Sequence, residues 1–286
     1  MFSQYRIKPG TKVRLKDYDP NDDGGMQREA AKAEVAALKK RLDELQEELY
    51  AAGQHSALIV LQGRDTSGKD GTIRKVFGDV NPAGCRVEPF KVPTAEELAH
   101  DFLWRVHKVT PRKGMMAIFN RSHYEDVLVV RVHKLAPKKV IEQRYEVINQ
   151  FERFLASENT IILKFFLHIS KDEQEQRLLE REQDPRTAWK LAVGDWKERA
   201  YWDAYTEAYE LALARCSTDA APWMVVPANR KWYRDLVVAQ TVVTTLEAYR
   251  KDWAKTLRAM SEARRAELDA YRAELAAAAA GNGVQG

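Results

Sequence analysis

The amino-acid sequence predicts an α/β fold in which helices cover both faces of a parallel β-sheet. Short apolar runs alternate with longer amphipathic segments along the 286 residues, as in chains that build such sheets. The first run, 57–61, is unbroken, which is typical of a strand buried on both faces. Polar clusters follow three of the predicted strands, at the end where parallel sheets bind ligands. These clusters are Gly63–Lys69, Asn120–Asp126 and Ala228–Lys231.

The individual elements follow from apolar periodicity and from residues that start or stop helices. A polar arm over 1–25 precedes an amphipathic helix over 27–52, which Gly53 ends. Strands are predicted at 57–61, 86–90, 115–119, 160–169 and 223–226. Helices are predicted at 72–77, 94–107, 137–155, 171–182, 201–215, 231–252 and 253–276, before a disordered end.

This order divides the chain into three parts. Residues 1–53 form an arm and a long helix, residues 54–252 form the core, and residues 253–286 form a terminal helix and tail. The long N-terminal helix is expected to lie on the surface or to contact a second subunit. We therefore expect a homo-oligomer, a dimer or a tetramer.

Composition and charge exclude several classes of protein. The net charge of +4 fits an anionic ligand but is too weak to indicate nucleic-acid binding. The two cysteines, Cys85 and Cys216, lie far apart and lack metal-ligand spacing, which favours a reducing compartment. No apolar stretch reaches the ~18 residues of a membrane span, and the N-terminus does not resemble a secretory signal. We expect a cytoplasmic protein.

The clearest motif is a phosphate-binding loop that follows the first predicted strand. Gly63, Gly68 and Lys69 have the spacing G-x-x-x-x-G-K, in which glycines let backbone N–H groups surround an anion and the lysine reaches the outer phosphates. The predicted loop comprises Gly63, Arg64, Asp65, Thr66, Ser67, Gly68, Lys69, Asp70, Gly71 and Thr72. The loop departs from the standard motif where Asp70 replaces the serine or threonine that holds magnesium.

Two carboxylates of this loop are candidate magnesium ligands. Asp65 would repel phosphate unless a divalent cation lay between them, although its side chain could instead close the loop through a turn. Asp70 either replaces the missing hydroxyl as a ligand or is an acidic residue favoured by the dipole in the first turn of a helix.

The cluster after the third strand supplies further candidates. Asn120 occupies the position where many phosphate-loop enzymes place an aspartate for magnesium. Arg121 suits bidentate phosphate binding, with an ion pair to Glu125 or Asp126 as the structural alternative. His123 is expected to be structural, because transfer to an anionic phosphate needs little general-base help.

The segment 184–199 combines basic residues with tryptophans and is predicted to be a lid. Lids of this kind close over phosphate charge, and a solvated basic face is the alternative. The candidate phosphate-binding residues of the lid are Arg181, Lys190, Lys197 and Arg199.

Three motifs together resemble the polyphosphate kinase 2 family. They are GRDTSGKDGT at 63–72, FNRSHYEDVLVVRVH at 119–133 and DPRTAWKLAVGDWKER at 184–199. The resemblance covers roughly residues 30–252, and the GKD variant of the loop is typical of this family. It implies a three-layer α/β/α phosphate-loop kinase fold, similar to thymidylate kinase, with a helical lid over 181–202.

The resemblance also implies a reaction and its participants. The protein would transfer phosphoryl groups reversibly between inorganic polyphosphate and AMP or ADP, yielding ADP and ATP, with Mg²⁺ or alternatively Mn²⁺. Many relatives carry FDRS where this chain has FNRS, and the asparagine resembles the subgroup that accepts both AMP and ADP. The implied metal ligands are Asp65 and Asp126, the other catalytic residues are Lys69, Asn120 and Arg121, and the nucleotide-contacting residues are Asn120, His123 and Glu125.

Two other functions are compatible with parts of the sequence. A phosphate loop alone would also serve a kinase or NTPase that uses ATP on a small metabolite, although such enzymes rely on Ser/Thr and Asp for magnesium. A module that only binds polyanions would explain the basic residues and tryptophans but would need no phosphate loop.

Overall fold

The predicted parallel sheet is present in a computed structural model of the chain, which describes residues 2–185 and 193–282. Within these residues, five parallel strands lie in the order β2-β3-β1-β4-β5. Their bounds are β1 (Ser56–Gln62), β2 (Cys85–Pro89), β3 (Met116–Asn120), β4 (Thr160–His168) and β5 (Trp223–Pro227).

Helices connect the strands and cover the sheet. The longer ones are α1 (Arg28–Ala52), α2 (Lys69–Val76), α6 (Lys138–Ser157), α7 (Lys171–Gln183), α9 (Trp202–Arg215), α10 (Lys231–Glu247) and α11 (Arg250–Asn282). The shorter ones are α3 (Ala95–Leu98), α4 (Trp104–His107), α5 (Val129–Val132) and α8 (Val193–Glu198). None of the helices in the described ranges is long and apolar enough to cross a membrane.

The sheet separates two hydrophobic clusters, so the fold has three layers. Side chains of a strand point alternately to its two faces. In β1, Ile59 and Leu61 join the cluster that contains α1 and α10, whereas Leu58 and Val60 join the cluster that contains α6 and α9. The α/β/α architecture expected from the sequence is confirmed.

The N-terminal segment packs on the rest of the chain. The arm runs along β5, where Ile7 N–H donates to the Trp223 carbonyl (2.9 Å). Leu38, Leu42 and Leu45 of α1 are buried in the cluster that contains α10. The leucine stripe of α1 is therefore used within the chain and gives no reason to expect a second subunit.

The largest differences from the expected helices lie in three places. The helix predicted at 94–107 is two short helices, because the Asp101 carboxylate accepts from Leu103 N–H (3.0 Å) and starts a new turn. The helix predicted at 231–252 is interrupted after Glu247, where Trp253 turns inward and donates to His55 Nδ1 (3.1 Å). The terminal helix continues to Asn282 rather than ending at 276.

A buried polar network lies behind the turn that follows β3. Lys164 Nζ on β4 donates to Glu152 (2.5 Å), to Tyr124 Oη (2.7 Å) and to the Cys216 carbonyl (2.6 Å). Tyr124 donates in turn to Glu152 (2.8 Å), and Lys164, Glu152 and Tyr124 are fully buried. Burial would raise the pKa of Glu152, but the charge of Lys164 and the hydrogen bond with His123 outweigh it and lower that pKa. The network ties β4 and α6 to the turn after β3.

We predict that Tyr124→Phe destabilises the fold by about 1.5–3 kcal/mol, because two charged groups each lose a buried hydrogen-bond partner. Urea unfolding followed by circular dichroism measures the effect.

Tyr145→Phe is the matched control. Tyr145 is equally buried, but its hydroxyl has no hydrogen-bond partner in the described part of the chain. Its substitution should change the free energy of unfolding by less than about 0.5 kcal/mol. Equal losses in the two variants would contradict the role given to the network.

Candidate functional site

The register between β1 and β3 brings two of the predicted polar clusters together. Leu61 lies opposite Asn120, and Arg121 N–H donates to the Leu61 carbonyl (3.0 Å). The loop after β1 and the turn after β3 therefore leave the sheet side by side. A hydrogen bond from Gln62 Nε2 to Ser122 Oγ (3.1 Å) joins the end of β1 to the turn after β3.

The loop after β1 has the backbone expected of a phosphate-binding loop. Gly68 precedes α2 with φ +99°, and Thr66 also has a positive φ of +62°. Lys69 Nζ lies under the loop and donates to the carbonyls of Gly63 (2.7 Å) and Arg64 (3.1 Å). Burial, and then the charge of Arg121, lower the pKa of Lys69 to about 8. The lysine thus lies in the loop at the strand end.

A groove of about 870 Å³ opens beyond this loop. Its described lining includes eight basic and five acidic side chains. Besides Lys69 and Arg121, the basic ones are Arg74, Lys91, Arg177, Arg181, Lys231 and Arg234. They come from several elements of the core and from the edge of the lid. This excess of positive charge along an open groove suits an extended polyanion.

Asp65 and Arg121 form the wall between this groove and a second cavity. Arg121 Nη2 donates to Asp65 Oδ1 (2.8 Å), and both residues line both spaces. The hydrogen-bonded partner of Arg121 is therefore Asp65, not Glu125 or Asp126 as the structural alternative supposed. Burial would lower the pKa of Arg121, but Glu125 and Asp65 outweigh it and the pKa is raised.

The second cavity is smaller and aromatic. It is lined by Glu125 and by Trp202, Tyr205 and Tyr209 of α9. Burial raises the pKa of Glu125, although Arg121 opposes the shift. The Arg64 guanidinium lies 3.6 Å from the centroid of the Trp202 ring, and burial lowers its pKa to about 10. Arg64 lines this cavity rather than the phosphate groove expected from its place in the loop.

Asp70 and Asn120 meet at the edge of the groove. Asn120 Nδ2 donates to Asp70 Oδ1 (2.6 Å), and Asp70 stands in the first turn of α2. This position suits an acidic side chain at the positive end of a helix. It leaves the carboxylate facing the groove, so Asp70 also stays a candidate ligand.

Asp126 lies away from the groove, which speaks against its expected catalytic and metal-binding roles. Arg144 donates to its carboxylate (3.2 Å), and Arg105 lies 3.9 Å away. Adjacent residues of a 3-10 turn point about 120° apart, so Glu125 faces the cavity and Asp126 faces the opposite side. Burial raises the pKa of Asp126, opposed by these two arginines. Asp126 anchors the turn.

Of the remaining predicted residues, His123 and Thr72 are structural in position. His123 is fully buried, with Nε2 3.2 Å from Glu152, so it lines neither cavity and is not placed to contact a nucleotide. Thr72 is buried, and Asp235 accepts from its hydroxyl (3.5 Å). Gly71 lines the groove. The hydroxyls of Thr66 and Ser67 are buried without a partner in the described chain.

The described part of the lid contributes one of its predicted residues to the groove. Arg181 lines the groove and pairs with Asp195 of α8 (2.7 Å). Arg199 instead binds Glu175 (2.6 Å) on α7, and Lys197 is exposed. Lys190 falls within 186–192, outside the described residues.

Three arginines of the groove are absent from the sequence-based candidates: Arg74, Arg177 and Arg234. Arg177 donates to the carbonyls of Thr66 (2.9 Å) and Ala228 (2.6 Å), joining the loops after β1 and β5. Arg234 lies against Gly68. Arg234 follows the third polar cluster by three residues, a signal that could have found it. Arg177 looks like any charged residue of a surface helix.

The carboxylates at the groove suit a metal whose other ligands are substrate phosphates. The described residues contain no cluster of three or more His, Cys, Asp or Glu side chains that could hold an ion. Mg²⁺ is commonly held by one or two carboxylates and by phosphate oxygens. Asp65 and Asp70, both lining the groove beside the unpartnered hydroxyl of Thr66, fit that donor set.

Comparison with known proteins identifies the family. The family model of polyphosphate kinase 2 (PPK2) matches residues 25–254. The chain belongs to the PPK2 family. A curated relative from Meiothermus ruber, named AMP/ADP-polyphosphate phosphotransferase, is 56% identical over 250 residues, covering 86% of this chain and 93% of the relative.

Further PPK2 relatives match most of the chain. The ADP-polyphosphate phosphotransferase of Rhodopseudomonas palustris is 40% identical over 285 residues, covering 95% of this chain and 97% of the relative. The crystal structure of Polyphosphate Kinase 2 from Arthrobacter aurescens has a TM-score of 0.83 and 44% identity, covering 86% of this chain and 88% of that one. The phosphate-loop kinase fold expected from the resemblance is confirmed.

We predict that Gly68→Ala weakens tripolyphosphate binding about tenfold or more, the equivalent of ~1.4 kcal/mol. A Cβ at Gly68 would lie 1.9 Å from Arg234 Nη1, and the positive φ disfavours any side chain. Isothermal titration calorimetry measures the affinity.

Gly71→Ala makes the same chemical change three residues later. Its Cβ would lie at an ordinary 3.5 Å from Arg234, and its φ is unstrained. Affinity within about twofold of the unmodified protein is expected, and equal losses in both variants would contradict the role of the Gly68 backbone.

Proposed function

We propose that the protein transfers phosphoryl groups between inorganic polyphosphate and the nucleotides AMP and ADP, giving ADP and ATP. Membership of the PPK2 family and the names of its relatives support the reaction class. The observation that carries the proposal is the groove beyond the phosphate loop, whose volume of about 870 Å³ and excess of basic side chains suit a phosphate chain.

The residues at the wall between the two cavities would perform the transfer. Lys69 and Arg121 would hold the phosphoryl group and neutralise the charge on its oxygens, which is the main task in phosphoryl transfer. The accepting phosphate oxygen is already anionic, so no general base is required. The buried position of His123 agrees with this mechanism.

Mg²⁺, or alternatively Mn²⁺, is the proposed metal, held by Asp65 with Asp70 nearby. When bound, it would offset the repulsion between phosphate oxygens and these carboxylates. Arg121 already donates to Asp65 and would orient its carboxylate. Asp126 is not proposed as a ligand, because its carboxylate pairs with Arg144 on the far side of the turn.

The nucleotide and the phosphate chain would occupy different parts of the site. The groove with Arg177, Arg181 and Arg234 would hold polyphosphate. Asn120 at the edge of the groove and Glu125 in the second cavity would contact the nucleotide. The cytoplasmic location and the chain divisions at 53 and 252 stay predictions from the sequence.

We predict that the purified protein, with Mg²⁺ and polyphosphate, makes ADP from AMP and ATP from ADP. Lys69→Ala and Asp65→Asn should each lower the rate at least about a hundredfold, because charge compensation at the transferred group is lost. Luciferase-coupled and chromatographic assays of nucleotides measure the rates.

Asp126→Asn is the control that separates the two carboxylates. It should lower thermal stability but leave the magnesium dependence of the rate unchanged. Turnover of ATP with no response to polyphosphate would support the ATP-dependent alternative and contradict the proposal. Full activity of Asp65→Asn would contradict the metal assignment alone.

We predict that tripolyphosphate affinity falls about tenfold between pH 7 and pH 9. Burial lowers the pKa of Lys69 to about 8, so above that pH the ammonium group loses its proton and its attraction for phosphate. Calorimetric titrations at several pH values measure the change. Lys69→Arg stays charged throughout, so its affinity should lack this decline; the same decline in that variant would contradict the assignment to Lys69.

A further inference from the structure

The last helix leaves the core and projects into solvent. Trp253 near the start of α11 is fully buried, and Arg250 Nε binds Glu48 of α1 (3.1 Å). Beyond Leu257, which is half-buried, every side chain from Arg258 to Ala278 is exposed. This projecting part is about 30 Å long. The first turn of α11 is therefore packed on the core, whereas residues 258–278 are not covered by any other part of the described chain.

One side of the projecting helix carries a seven-residue repeat. Two sets of positions each recur every seven residues, and the sets are spaced three and four residues apart. This is the spacing of the a and d positions of a coiled coil. The a positions are Ser261, Leu268 and Leu275, and the d positions are Leu257, Arg264, Tyr271 and Ala278. Leu257 packs against the core at the base of the helix, whereas Leu268, Tyr271 and Leu275 are 46%, 56% and 53% exposed, so this upper part of the stripe is uncovered within the described chain.

Charges on the two flanks of this stripe are sorted by sign. Arg258, Arg265 and Arg272 follow the d positions on one flank, whereas Glu267 and Glu274 precede the a positions on the other. In a parallel pair of identical helices, each flank faces the opposite flank of its partner. Glu267 then faces the partner's Arg272, and Arg272 faces the partner's Glu267. An antiparallel pair would place the arginine flanks against each other.

None of the residues to which the proposed reaction assigns a role lies in this segment. The PPK2 family model ends at residue 254, at the base of the projecting helix. A helix without tertiary contacts is only marginally stable in water, and its stability normally comes from packing of an apolar face. Ser261 and Arg264 are the polar members of the stripe, and a polar residue at such a position fixes register at a cost in stability.

We propose that residues 257–278 pair in parallel with the same segment of a second copy of the chain, forming a two-stranded coiled coil. The two catalytic cores then lie at the same end of the coil. The occupant is a second copy because the stripe and its oppositely charged flanks complement themselves.

The test compares two double variants of the full-length protein. Leu268→Asp with Leu275→Asp places charges in the stripe, and Ala266→Asp with Ala273→Asp places the same charges on the opposite face. Size-exclusion chromatography with light scattering should show that the stripe variant has half the mass of the unmodified protein and that the control has the same mass. A monomeric unmodified protein, or an unchanged mass in the stripe variant, would overturn the proposal.

The orientation has its own test. Cysteine at position 275 (Leu275→Cys) meets its counterpart in a parallel pair but faces Leu257 of the partner subunit in an antiparallel pair. Mild oxidation should therefore cross-link Leu275→Cys and leave Ala273→Cys, on the opposite face, uncross-linked. Absence of the cross-link at position 275 in a dimer would overturn the parallel arrangement.

Discussion

The pairing of β1 with β3 is the constraint on which the site depends. Because Leu61 lies opposite Asn120, the phosphate loop and the turn after β3 must leave the sheet next to each other. This register places Arg121 within 2.8 Å of Asp65 and Asn120 within 2.6 Å of Asp70. Each acidic side chain of the loop thus has a donor from the neighbouring connection. The site therefore forms where the loop after β1 meets the turn after β3, and neither the phosphate loop nor the turn forms it alone.

Contacts among β4, α6 and the turn after β3 hold this junction in place. Lys164, Glu152 and Tyr124 form a buried ionic network directly behind the turn that carries Arg121 and Glu125. Breaking one partner of such a network leaves a buried charge without compensation, which is costly. Arg177 holds the phosphate loop in place because it donates hydrogen bonds to carbonyls of the loops after β1 and β5. Rigid elements therefore support both halves of the site.

The sequence was sufficient to predict the sheet, its helical layers and the convergence of polar clusters at one edge, because apolar periodicity and parallel topology determine these. It could not determine which of Glu125 and Asp126 faces the site, since adjacent residues of a tight turn point in different directions. It also could not show that Arg64 stacks on Trp202 or that Arg177 reaches the loop, because both contacts join segments more than 100 residues apart. Among the groove arginines missed from sequence, Arg177 depends on such long-range packing, whereas Arg234 follows a predicted polar cluster by three residues.

The central claim is that the phosphoryl group is transferred at the junction of Asp65 and Arg121. A crystal structure with Mn²⁺, tripolyphosphate and AMP, analysed by anomalous scattering from manganese, tests it most directly. We predict an anomalous peak about 2.0–2.4 Å from a carboxylate oxygen of Asp65, bridging to phosphate oxygens in the groove. A peak at Asp126, or phosphates bound with no peak beside Asp65, would contradict the account.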